Sequence, residues 1–169
     1  MSDGFEIRRA RPADAAALVG LAESVAAEPE GWLVAEGAWR TVGEERRYLR
    51  TLGRYPHAAV CVADVHGSGV ARHSLARDPH PASAHVTDLG LMVATGHRRR
   101  GVGTALLDAA VAWARDADVR KLELHVFPHN EPALALYERF GFYREGVRKG
   151  HYRRGGAFLD AVLMAYSVE

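Results

Sequence analysis

His97-Arg98-Arg99-Arg100-Gly101-Val102-Gly103-Thr104 joins a strand-like stretch to a helical one, and its reading decides the fold. Upstream, residues 85–93 are predicted as a strand. Downstream, Val102, Leu106, Ala109, Ala110 and Trp113 recur at helical spacing and predict a helix over 101–116. The first backbone N–H groups of a helix lack intrahelical partners and lie at the positive end of its dipole. Strand, basic turn, helix is therefore the order needed to hold an anion. Gly101 and Gly103 let the backbone approach a ligand and take up conformations that strain other residues, while Arg98 and Arg100 can pair with phosphate charge. No Gly-Lys-Ser/Thr follows, so the turn is not a Walker loop, and its spacing is not the three-glycine dinucleotide fingerprint. Taken alone it predicts a phosphate cradle of some other kind, or equally a solvated arginine face with glycines placed for packing.

Working outward, 5–9 alternates as a first strand, and Arg11-Pro12-Ala13-Asp14 opens a helix to about residue 26 with Leu18, Leu21 and Val25 on one face. Residues 28–39 are irregular, with Pro29, Gly31 and Gly37 beside Trp32 and Trp39, which suggests a pocket wall. A polar helix is predicted over 42–52. Strands over 58–65 and 70–76 are joined by the turn His66-Gly67-Ser68-Gly69, and Asp78-Pro79-His80-Pro81 marks a loop. After the central helix come a strand over 122–127, Pro128-His129-Asn130, a short helix over 131–140 closed by Gly141, and two strands over 142–168 around Arg153-Arg154-Gly155-Gly156. Strands and helices mixed throughout indicate one α/β domain over 1–169.

Composition limits the alternatives. The 169 residues are 48% hydrophobic and 25% charged, enough to bury one core. A formal net charge of +1 gives no global field toward nucleic acid or an anionic membrane, so anion recognition must be local. Aromatics are not interleaved with Arg98–Arg100 as a nucleic-acid surface would require. The N-terminus lacks a signal-peptide profile and no stretch reaches the roughly 18 apolar residues of a membrane span, so a cytoplasmic protein is expected. The single cysteine, Cys61, lies in an apolar run, reads as a buried strand position, and has nothing nearby to activate it as a nucleophile. His125 and His129 straddle Pro128 and should not share a helix face, so no metal is expected.

Residues 93–107, Val-Ala-Thr-Gly-His-Arg-Arg-Arg-Gly-Val-Gly-Thr-Ala-Leu-Leu, resemble the central motif of the GNAT superfamily of N-acetyltransferases, Gln/Arg-x-x-Gly-x-Gly/Ala after the fourth strand. A second family feature, Asn followed at the seventh residue by Tyr and then Gly-Phe, is present as Asn130, Tyr137, Gly141 and Phe142. The resemblance spans nearly the whole chain, and the ending looks most like bacterial members that acetylate amino acids or other small amines. It implies an α/β GNAT fold: a mixed sheet of about six or seven strands, splayed between the fourth and fifth, with about four helices. It also implies acetyl-CoA as cosubstrate. The expected cofactor-binding residues are Leu91, Met92, Val93, Arg98, Arg99, Arg100, Gly101, Val102, Gly103, Thr104, Asn130, Ala133 and Tyr137. A small-molecule amine is the expected acceptor and a homodimer is compatible. Acetylation of a protein N-terminus or lysine, or a CoA sensor without turnover, are the alternatives.

The resemblance further implies direct attack by the amine with no acyl-enzyme. Tyr137, a phenol that stays protonated at neutral pH, is the candidate general acid, though Ala133, Leu134 and Phe140 would share its helix face and suit a core aromatic equally. Asn130 can cap its helix and also meet the pantetheine arm. Relatives often carry Glu-Leu-Gly before the turn where this chain has Asp88-Leu89-Gly90; Asp88 is the candidate base, with an ordinary strand aspartate as the plain reading and His125 in reserve. A backbone N–H near Val93 would polarise the thioester carbonyl. Acceptor selectivity is expected from residues 28–39 and 148–158, where Glu28, Glu30, Arg148 and Arg153 carry suitable charge without singling one out.

Overall fold

A computed structural model describes residues 4–33 and 39–169; the centre of the irregular aromatic segment, 34–38 with Gly37, lies outside the described residues. The run of apolar residues at Ala58–Val65 (β2) is covered on both faces, with Ala59 and Ala63 turned one way and Val60 and Val62 the other. A strand buried on two sides has no reason to alternate in polarity, which is why this run is nearly continuous. Around it lie β1 (Glu6–Arg9), α1 (Ala15–Ala26), α2 (Val42–Leu52), β3 (Ser68–Arg77), β4 (Val86–Val93), α3 (Val102–Asp116), β5 (Lys121–Val126), α4 (Glu131–Phe140), β6 (Tyr143–Arg154) and β7 (Ala157–Ser167). They form one seven-stranded sheet in the order β1-β2-β3-β4-β5-β7-β6, antiparallel except between β4 and β5. The mixed sheet and four helices are those the resemblance implies.

Two layers of helix cover the sheet. Leu18, Leu21, Ala22 and Val25 of α1, with Leu49 of α2, pack on Val60, Val62 and Met92. On the other face Leu107, Ala110, Val111 and Ala114 of α3 and Leu134 and Tyr137 of α4 meet Leu89, Leu122, Leu124, Val162 and Met164. Each leucine, valine or methionine among them that is removed from water contributes roughly 1.5–3 kcal/mol, so the two helical layers hold the sheet firmly.

Local departures from the expected boundaries have local causes. Gly101 does not belong to α3, because its φ of +78° puts it in the left-handed region as the cap of a helix that begins at Val102. The β2–β3 turn contracts to His66 and Gly67, both at positive φ (51° and 85°), the geometry that matches the twist of paired strands, and β3 is correspondingly longer. The first helix is preceded by a 3-10 turn at Pro12–Asp14, where the Asp14 carboxylate accepts the Arg11 N–H at 2.6 Å and both Arg8 terminal nitrogens at 2.8 Å.

Candidate active site

Pairing between β4 and β5 runs only from Val86↔Lys121 to Asp88↔Glu123, after which the strands diverge. Ala94 N donates to Val70 O at 2.9 Å, so by strand alternation Met92 and Gly90 also turn their amides toward β3. The N–H and C=O of Leu91 and Val93 therefore face the gap. Val93 O already accepts from Arg98 Nε at 3.0 Å. The gap opens into a cleft of about 1260 Å³ bounded by β4, the turn after it, β5, α4 and β6.

The basic turn forms one end of the cleft. Ala105 N to Gly101 O, at 2.9 Å, is the first bond of α3 and no side chain caps the helix, so the amides of Val102, Gly103 and Thr104 precede its intrahelical ladder. Side chains of the turn also have partners within the protein. Arg98 is held bidentately by Glu28 at 2.7 and 2.8 Å, and Glu28 also accepts from Thr95 Oγ1 at 2.9 Å. The charge of Arg98 is thus matched within the protein, and Glu28 faces Arg98 rather than standing free for an amine, while Arg98 still borders the cleft. Arg98 holds Glu28 below the ordinary carboxylate range. Arg99, Thr104 and Gly101 line the cleft, whereas Arg100 is exposed outside its lining. Val102 is buried against Ala63, Ala71 and Leu106, so only its main chain can reach a ligand. Gly103 has a packing reason as well, since a Cβ there would lie 2.9 Å from Leu136 Cδ2 of α4. Met92 likewise packs into the α1–α2 core, while it and Leu91 border the cleft.

Helix α4 brings Asn130, Ala133 and Tyr137 to the same cleft. Asn130 Oδ1 caps the helix by accepting Ala133 N at 3.3 Å, and Gly141 closes it at φ +119°. The Tyr137 ring packs 5.5 Å from Phe142 and is only 7% exposed. Burial disfavours the phenolate, so its pKa lies well above the usual value. Core aromatic and cleft residue are thus one side chain.

Opposite Tyr137, the other half of the cleft carries charge. Asp88 and its register partner Glu123 both line it, with His125, Arg148 and Tyr152. Water reaches Asp88, yet the concave wall around it removes part of its hydration; that, followed by the charge of Glu123, raises its pKa above the ordinary value. His125 Nδ1 lies 2.7 Å from Tyr152 Oη. Partial burial, then the charges of Arg148 and His151, lower the His125 pKa and favour the neutral ring. Burial and then Asp88 raise that of Tyr152. Tyr152 and Glu123 were not singled out from sequence, although period-two spacing places Glu123 on one strand face with His125; on β6 the register shift between Arg148 and Tyr152 breaks that count.

The segment 28–33 runs across the ends of β4, β5 and β6. Arg98 holds Glu28; His129 Nε2, stacked between Phe127 and Trp32, lies 3.0 Å from Glu30 O; Arg154 Nη1 donates to Gly31 O at 2.8 Å and its other terminal nitrogen to Leu33 O. Trp32 and Leu33 are thereby fixed in the cleft wall. His125 and His129 have separate partners, and Arg153 is exposed outside the cleft lining. Cys61 is half-buried rather than buried, and burial pushes its thiol pKa up, away from nucleophilic use.

Residues 22–142 match the Acetyltransferase (GNAT) family. The L-amino acid N-acetyltransferase AaaT of Escherichia coli (strain K12) is 34% identical over 125 residues, 72% of this chain and 75% of that protein. The crystal structure of ribosomal-protein-alanine N-acetyltransferase from Brucella melitensis superposes with a TM-score of 0.84 at 26% identity, over 96% of this chain and 99% of that one. The structure of yncA from Salmonella typhimurium with its cofactor acetyl-CoA superposes with a TM-score of 0.86 at 17% identity, over 98% and 94%. Splayed strands, a phosphate-type turn and the Asn130–Tyr137 helix thus occur together in a chain that belongs to the GNAT family and is an acetyl-CoA-dependent N-acetyltransferase.

Proposed function

We propose that this enzyme transfers the acetyl group of acetyl-CoA directly to the primary amine of a small molecule, with an amino acid as the favoured acceptor. The observation that carries this reading is the acceptor end of the cleft, where residues 28–33 are tied across three strand ends above the Asp88–Glu123 carboxylates. A bounded recess with two carboxylates on one wall suits a small ammonium better than a protein surface.

In this reading the main-chain N–H groups of Gly101, Val102, Gly103 and Thr104 hold the pyrophosphate, with Arg99 and Arg100 supplying charge and Arg98 shaping the turn. Leu91, Met92 and Val93 offer the open edge of β4 to the pantetheine arm, against Asn130 and Ala133. The Val93 N–H faces the gap, where it can donate to the thioester oxygen as negative charge develops.

Asp88 accepts a proton from the acceptor ammonium, directly or through water, and its raised pKa makes it a stronger base than an ordinary aspartate. The freed amine attacks the carbonyl carbon, forming C–N as C–S breaks. The Tyr137 hydroxyl gives its proton to the departing thiolate, and the proton lost by the new amide nitrogen restores the phenol. His125, held by Tyr152 and favoured neutral, is the reserve base.

An acceptor panel of amino acids, simple amines and alanine-led peptides, read by thiol release and mass shift, tests the reading. Turnover on free amino acids or amines is expected. Turnover confined to peptides or lysines overturns the small-molecule acceptor, and acetyl-CoA binding without turnover overturns catalysis in favour of a sensor. Tyr137→Phe keeps the ring on Phe142 and removes only the hydroxyl that donates the proton, so kcat should fall roughly 100-fold or more with the KM for acetyl-CoA nearly unchanged. Equal rates for variant and wild type would refute the general-acid role.

A further inference from the structure

Among the described residues, Arg148 is a cation of the cleft wall on the side of Asp88 and Glu123 that makes no ion pair or hydrogen bond. Arg72, only 3% exposed, donates to Glu45 at 2.7 Å, and Arg98 is paired with Glu28. Arg148 stands on β6 opposite Ala161 of β7. It lies close enough to His125 and Tyr152 for its charge to act on both, and those two side chains are fixed to each other at 2.7 Å. Tyr152 in turn feels the charge of Asp88, whose register partner is Glu123. One wall of the recess therefore presents two carboxylates and another presents a free guanidinium.

That arrangement matches a zwitterion. A free α-amino acid carries an ammonium and a carboxylate on the same carbon, whereas a peptide N-terminus has a neutral amide where the carboxylate would be. Guanidinium binds carboxylate as a planar fork, through two parallel hydrogen bonds that fix orientation as well as charge. We infer that Arg148 holds the α-carboxylate of the acceptor while Asp88 and Glu123 face its ammonium, so that the enzyme selects free α-amino acids over peptide N-termini. The inference rests on the small-molecule reading above and adds to it the residue that sets the acceptor class.

The test compares wild type, Arg148→Ala and Arg148→Lys on three acceptors: the best amino acid of the panel, its α-carboxamide, and the amine lacking the carboxyl group. Wild type should prefer the acid. Arg148→Ala should lower kcat/KM for the acid by roughly 10- to 100-fold, the range for a hydrogen bond to a charged group, with the amide and amine changing less than about twofold. Arg148→Lys should recover part of the loss, and the KM for acetyl-CoA should be the same in all three proteins. If wild type uses acid and amide equally well, or if Arg148→Ala depresses all three acceptors alike, the carboxylate anchor is wrong although small-molecule acetylation stands. Turnover of peptides with none of free amino acids would overturn both.

Discussion

His73 makes stability depend on pH in a way that can be calculated. It sits in the middle of β3 between Cys61 of β2 and Leu91 of β4, is 0% exposed, and neither ring nitrogen has a hydrogen-bond partner among the described residues. Protonating it in the fold would bury an unpaired cation, so burial, reinforced by the charge of neighbouring Arg72, lowers its pKa from 6.5 to about 4. The unfolded chain takes up a proton near 6.5 that the folded chain refuses until about 4. Stability from this group is thus complete above 6.5 and is lost progressively as pH falls toward the lower value. At pH 5 the linkage amounts to about 2 kcal/mol, or roughly 4–8 °C in Tm for a chain of this size. His73→Leu, similar in volume and without a titrating group, should escape this loss. Thermal unfolding of both proteins between pH 7.5 and 5 isolates the term, because every other titrating group is shared. Parallel Tm curves, within about 1 °C after offset, would refute the claim that His73 is buried and neutral.

Glu123→Gln removes the like charge beside Asp88, so the Asp88 pKa should drop and the acid limb of the kcat/KM profile should move to lower pH; an unmoved limb means that Asp88 is not the group that must deprotonate. Part of the elevation should survive, since partial burial is its larger cause. Arg154→Ala cuts both bonds to residues 31 and 33 and frees one end of the segment that carries Trp32 and Leu33. The acceptor KM should rise roughly 3- to 10-fold with that for acetyl-CoA unchanged, as expected for losing hydrogen bonds that only position the acceptor wall. Equal rises in both KM values would place this segment at the cofactor end instead.

What was legible in the sequence is what local chemistry dictates. Gly101 announces a left-handed turn, Asn130 a helix cap, and the change of hydrophobic period at the basic turn a strand-to-helix junction; each depends on neighbours a few residues away. What stayed hidden was partner choice across the fold. Arg98 and Glu28 are 70 residues apart, so no spacing rule could match them as an ion pair. Gly103 borders the cleft, and its second role, packing against Leu136, depends on where α4 comes to rest. Tyr152 joins the site only because β6 returns beside β7, a pairing whose register shifts between Arg148 and Tyr152 cannot be counted from sequence.

The end of β4–β5 pairing at Asp88 and Glu123 explains why both halves of the chemistry meet where they do. Like charges facing each other across paired strands are unfavourable, and among the described residues Glu123 has an ion-pair partner, Lys121 at 3.5 Å, whereas Asp88 has none. The pair is tolerated because the strands separate immediately afterwards, admitting water to the carboxylates and leaving Asp88 raised rather than suppressed. The same separation leaves Leu91 and Val93 without partners on β5, so the amides they turn away from β3 face the gap. Closing the splay would satisfy those amides and bury the two carboxylates against each other, a desolvation cost of several kcal/mol per charge. The residue proposed as base therefore stands at the last register pair before the strands part, where an ordinary strand aspartate would gain a paired neighbour and Asp88 keeps access to water and to the cleft.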